Sequence, residues 1–148
     1  MIRGTYLVGT DYTVGTMFNT TSETEVLTFN IPANTVSNGI IVTFGAAVDM
    51  NTSSDCSLKL KVGTDGSEDI YATIVFQDGS AGYQSGKLMA LDSAGGTTDA
   101  ADGNYKEYTF VVDDKDWTSA QTVSITMTMT DADGDNEALG HMLTVLGY

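Results

Sequence analysis

The chain has 148 residues with 20 Asp+Glu against 6 Lys+Arg, a formal net charge of −14. That balance argues against nucleic acid or an anionic membrane face as a partner, because both are bound through excess Lys and Arg. With 41% hydrophobic residues the chain can still build a core, so it does not read as a disordered acidic tail, and its length suits one domain spanning residues 1–148.

The acids are 15 Asp and only 5 Glu, beside 22 Thr, 16 Gly and one Pro, a mixture suited to strands joined by tight turns. The single Cys56 excludes an intramolecular disulfide and a multi-cysteine zinc site, and reads as a small buried apolar residue. The N-terminus lacks the continuous apolar run of about 7 to 15 residues that a signal peptide needs, and no segment approaches the roughly 20 that cross a bilayer. A chain made and folded in the cytoplasm is the expectation, unless a signal has been removed.

In chain order, a first strand is expected near Thr5 to Val8, with residues 1–22 forming an extended N-terminal arm. Leu27, Phe29 and Ile31 then alternate with Thr28 and Asn30. Ile40 to Val48 is apolar at nearly every position, which suits a central strand covered on both faces. Leu58, Leu60 and Val62 alternate with Lys59 and Lys61, and Tyr71 to Phe76 is a second two-sided apolar run. A strand near Lys87 to Leu91 precedes the small, polar Ser93 to Gly103, read as a mobile surface loop. Tyr108, Phe110 and Val112 share a face. The clearest alternation is Thr122 to Thr130, where Val123, Ile125, Met127 and Met129 oppose five hydroxyl residues, and a last strand lies near Met142 to Leu146. Asn38-Gly39, Asp65-Gly66, Asp78-Gly79, Asp102-Gly103 and Asp133-Gly134 separate these runs as turn dipeptides. Eight or nine short strands without a helical stripe predict an all-β, antiparallel, jelly-roll-like β-sandwich.

The segment Asn19 to Gly63 contains Thr24-Glu25, the alternating Leu27-Phe29-Ile31, the turn Ile31-Pro32-Ala33-Asn34, Asn38-Gly39 and a Leu58 to Gly63 strand of the form L-K-L-K-V-G. This order resembles the opening half of jelly-roll domains in virion proteins of tailed viruses, such as capsid decorations, head fibres and tail-fibre tips. The resemblance covers about a third of the chain and is made of turn and strand grammar. It implies a non-enzymatic structural protein of the virion, assembled in the host cytoplasm. The implied state is a homo-oligomer, commonly a trimer, beside partners such as the major capsid protein. It transfers no functional residue.

Among local clusters, Asp131, Asp133, Asp135 and Glu137 alternate after the strongest strand and are candidate Ca²⁺ ligands, since Ca²⁺ takes six to eight oxygens. The segment is not an EF-hand, because the twelfth residue counted from Asp131 is Met142 and flanking helices are lacking; a solvated acidic turn is the competing reading. Asp113-Asp114-Lys115-Asp116-Trp117 reads as a charged turn with Trp117 folded onto the core edge; the alternative makes Trp117, with Tyr105 and Tyr108, a platform for a sugar ring. His141, the single histidine, is the one general base available to a nucleophilic mechanism, but no G-x-S-x-G elbow accompanies it, and it reads as a surface or half-buried residue. No catalytic residues and no cofactor other than Ca²⁺ are therefore expected. Two other functions compete with the virion reading: a subunit of an extracellular prokaryotic filament or surface layer, with Ile2 to Thr16 pairing on a neighbour's sheet edge, and a carbohydrate-binding module.

Overall fold

A computed structural model of the chain describes residues 5–18, 20–49, 55–77, 86–91, 106–130 and 137–148. Nine strands and no helix are present among them: β1 Tyr6–Phe18, β2 Thr24–Ile31, β3 Ile40–Asp49, β4 Asp55–Thr64, β5 Ser67–Gln77, β6 Gly86–Leu91, β7 Lys106–Val112, β8 Gln121–Met129 and β9 Glu137–Gly147. They form two antiparallel sheets, in the order β1-β9-β3-β7 and β2-β8-β4-β5-β6.

The pairing is nested. β1 pairs with β9, β2 with β8, β3 with β7 and β4 with β5, so the chain is one long antiparallel ribbon folded about the β4–β5 hairpin. Rolling that ribbon adds the lateral pairs β3–β9 and β4–β8, and successive layers alternate between the sheets. This is the jelly-roll arrangement, with β6 as an additional edge strand. At the tip of the ribbon Asp65-Gly66 makes the turn, and Gly66 takes a φ of 78°, where a side chain would be strained. Most of the stretch expected as an N-terminal arm is β1, hydrogen-bonded along β9 of the same chain.

Side chains alternating at period two fill the space between the sheets. Val42 and Phe44 of β3, Leu143 and Val145 of β9, Leu58, Leu60 and Val62 of β4, and Val123, Ile125 and Met127 of β8 are all buried there. Phe44 and Phe110 meet with ring centroids 5.5 Å apart. Phe29 of β2 reaches across to the α-carbon of Gly9 in β1, at a register shift where β1 leaves room for the ring. Cys56 is fully buried, and burial pushes its thiol up to about 12.

Two expectations need correction. β3 and β5 are interior strands of their sheets but are covered on one face only: Ile41 of the first run and Val75 of the second are half-buried. In a two-layer sandwich each sheet has one inner face, so the second apolar set of these runs points outward. His141 is neither a surface nor a half-buried residue; at 2% exposure it shares the inner face of β9 with Leu143 and Val145, and burial pushes its imidazole down to about 4.

Candidate functional site

Antiparallel register places residues from distant parts of the chain side by side on the outer face of the β1-β9-β3-β7 sheet. Leu7 opposes Leu146, which opposes Ile41, which opposes Val111, giving one apolar row across all four strands. Leu7 is 62% and Val111 58% exposed at the ends of the row, with Ile41 and Leu146 half-buried between them. The adjacent outward row is Thr10, Thr144, Thr43 and Thr109. Its hydroxyls pair within the row: Thr43 Oγ1 lies 2.9 Å from Thr109 Oγ1, and Thr10 Oγ1 lies 3.4 Å from Thr144 Oγ1 while donating to the Leu143 carbonyl at 3.0 Å. Neither row carries a charge; carboxylates flank the pair, at Glu107 beside Gly45 and Met142 on one side and at Asp113, two residues past Val111, on the other. On a chain of −14 this face combines an apolar band with hydroxyls that already have partners.

The outer face of the other sheet is built differently. Glu23, just before β2, accepts hydrogen bonds from Lys59 Nζ at 2.7 Å, from Lys61 Nζ, and from the Thr126 hydroxyl at 2.9 Å. The two ammonium groups hold its carboxyl down at about 2. Two of the six basic residues thereby share one acid, and they stand in register with Thr126 and Ser124 of β8, both buried.

The expected clusters are distributed as follows. Asp131, Asp133 and Asp135 lie outside the described residues, and Glu137 opens β9 in register with Asp49. Trp117 is only 7% exposed, so it folds against the core edge and is not a stacking platform; Tyr108 packs against the core and Tyr105 lies outside the described residues. Asp114 and Lys115 of that cluster are used structurally. Tyr71 Oη donates to Asp114 Oδ1, and Lys115 pairs with Asp69 and lies 5.1 Å from the Tyr71 ring centroid. Burial and the Asp114 contact push the Tyr71 phenol up to about 12. Among the described residues no three metal-ligating side chains cluster, and no helix is long and apolar enough to cross a membrane.

The two outward rows escaped the sequence reading because each takes one residue from each of four strands. Their signal was the second, outward apolar set of Ile40 to Val48, which signified an exposed face and not a second covering layer.

No protein-family model matches the chain, and no curated protein matches its sequence. Among solved structures, it is similar to a chain in a crystal structure of the T13 IBDV viral particle, at 12% identity over 95% of this chain and 31% of that one, with a TM-score of 0.46. It is also similar to a chain of the infectious bursal disease virus Gx strain, at 12% identity over 97% and 32%, with a TM-score of 0.43. The chain spans about a third of the length of the solved chains that it matches.

Proposed function

We propose that this protein is a non-enzymatic structural subunit of a virion, a jelly roll that assembles as a homo-oligomer, a trimer, and decorates a capsid or forms a fibre tip. The observation that carries the reading is the charge-free pair of rows on the outer face of the β1-β9-β3-β7 sheet. Interface centres are depleted in charge, and on a strongly acidic chain such a face is where a second copy, or a capsid protein, approaches without facing carboxylates. The nested strand pairing and the Asn19 to Gly63 resemblance support the virion setting. Assembly of copies at −14 each strengthens with ionic strength, or with Ca²⁺ held by Asp131, Asp133, Asp135 and Glu137.

Size-exclusion chromatography with light scattering tests this. The expected result is an oligomer that Ile41→Glu converts to monomer while the fold is retained, and that a chelator weakens at low salt. A wild-type monomer at all concentrations that also fails to bind other particle proteins overturns it.

A further inference from the structure

At one end of the sandwich the β2–β3 loop, the β7–β8 loop and the C-terminal Tyr148 line an open cleft of about 720 Å³. That volume lies within the range of small-molecule sites. Its walls are tied together by backbone bonds: Asn34 N–H donates to the Trp117 carbonyl at 2.9 Å, and Asn38 N–H donates to the Tyr148 carbonyl at 2.8 Å. Asn34 sits at a φ of 61°, a left-handed conformation that costs energy and that Asn tolerates better than most residues.

The polar groups of the wall divide into committed and available ones. Lys115 is paired with Asp69, and the Asp116 carboxylate accepts from the Thr118 N–H at 3.0 Å and from the Thr118 and Ser119 hydroxyls. The side-chain amides of Asn34 and Asn38, the Asp113 carboxylate and the Tyr148 hydroxyl make no hydrogen bond to another described residue. The Trp117 ring lines the same cleft, and its buried Nε1–H also lacks an acceptor among the described residues, although buried donors are rarely left unpaired.

We infer that this cleft binds a neutral sugar. Two amides, a carboxylate and a phenol line it together and offer both donors and acceptors, as the hydroxyls of a sugar require. The ammonium in the wall is already neutralised and carboxylates flank it, which disfavours phosphate and other anions. The site lies on loops and the C-terminus, away from the outer sheet face, and stands whether or not the chain assembles.

Trp117 is the single tryptophan, so its indole gives one ¹H–¹⁵N cross-peak from the labelled full chain. Maltotriose, cellotriose and mannotriose are titrated to millimolar concentration, with inorganic phosphate and sialyllactose as anionic controls. The expected result is a saturable indole shift with at least one neutral trisaccharide and none with phosphate. Asp113→Asn and Asn38→Ala should each weaken that binding about tenfold while the rest of the spectrum is retained. The inference is overturned if no neutral trisaccharide moves the indole, if the anions bind as well, or if both variants bind like wild type. An oligomer that binds no sugar refutes this site alone, and a sugar-binding monomer refutes the assembly reading alone.

Discussion

Gly39 and Tyr148 exchange backbone hydrogen bonds in both directions: Tyr148 N–H donates to the Gly39 carbonyl at 3.1 Å, and Gly39 N–H donates to the Tyr148 carbonyl at 3.4 Å. The C-terminus is thereby sewn onto the loop that enters β3. A β-carbon on Gly39 would lie 2.7 Å from the Val112 carbonyl oxygen and 2.8 Å from the Tyr148 hydroxyl. The tyrosine can swing away, but the β7 backbone cannot. Gly39→Ala should therefore destabilise by about 1–3 kcal/mol, the usual cost of overpacking, seen as a lower urea midpoint at unchanged slope. A midpoint equal to wild type would show that the loop yields freely.

The fold was legible in the sequence wherever one strand carried its own pattern. The alternation from Thr122 to Thr130 identified β8 and its inner face without reference to any neighbour, and Asp65-Gly66 marked the ribbon tip. What depends on register was not legible. Thr10 meets Thr144 across 134 positions, and Glu23 reaches Lys59 and Lys61 across 36 and 38, spacings that no local periodicity encodes. Ile40 to Val48 was misjudged for a related reason, because apolar residues on both faces of a strand specify burial only if a second layer exists.

His141 gives the stability a pH dependence. Its neutral form is favoured in the fold, with its imidazole pushed down to about 4 by burial, whereas an unfolded histidine titrates near 6.5. Its contribution is full above about pH 6.5 and is lost progressively as the pH falls toward 4, a total on the order of 3 kcal/mol. Denaturant unfolding of wild type and His141→Leu at matched pH isolates this term, since relief of carboxylate repulsion is common to both. The gap between the two should shift by that amount between pH 7 and 4, and parallel profiles would show that the imidazole charges without cost.

Glu23 bridges two cations that would otherwise stand adjacent on the outer face of the second sheet. Glu23→Gln leaves Lys59 and Lys61 facing each other without their shared acid. Exposed ion pairs contribute only about 0.2–1 kcal/mol each, so the loss should be modest, and it should shrink as salt rises. Thermal melts of both proteins at low and high ionic strength check this. A difference that does not depend on salt would mean that Glu23 acts through the Thr126 hydrogen bond instead.

Gly9 and Phe29 join the two sheets, and their coupling is measurable. The ring lies so close to the Gly9 α-carbon that a β-carbon there would overlap its edge. The register shift between Leu7 and Gly9 positions this notch opposite Val145, on the inner face. Gly9→Ala should cost about 1–3 kcal/mol through displacement of the ring, and Phe29→Ala should lose its packing against the core. In the double variant the overlap is absent, so the loss should fall short of the sum by about 0.5–3 kcal/mol, the range for residues in contact. Strict additivity in a double-mutant cycle of urea unfolding would show that Gly9 is needed for its backbone conformation alone and not as a seat for Phe29.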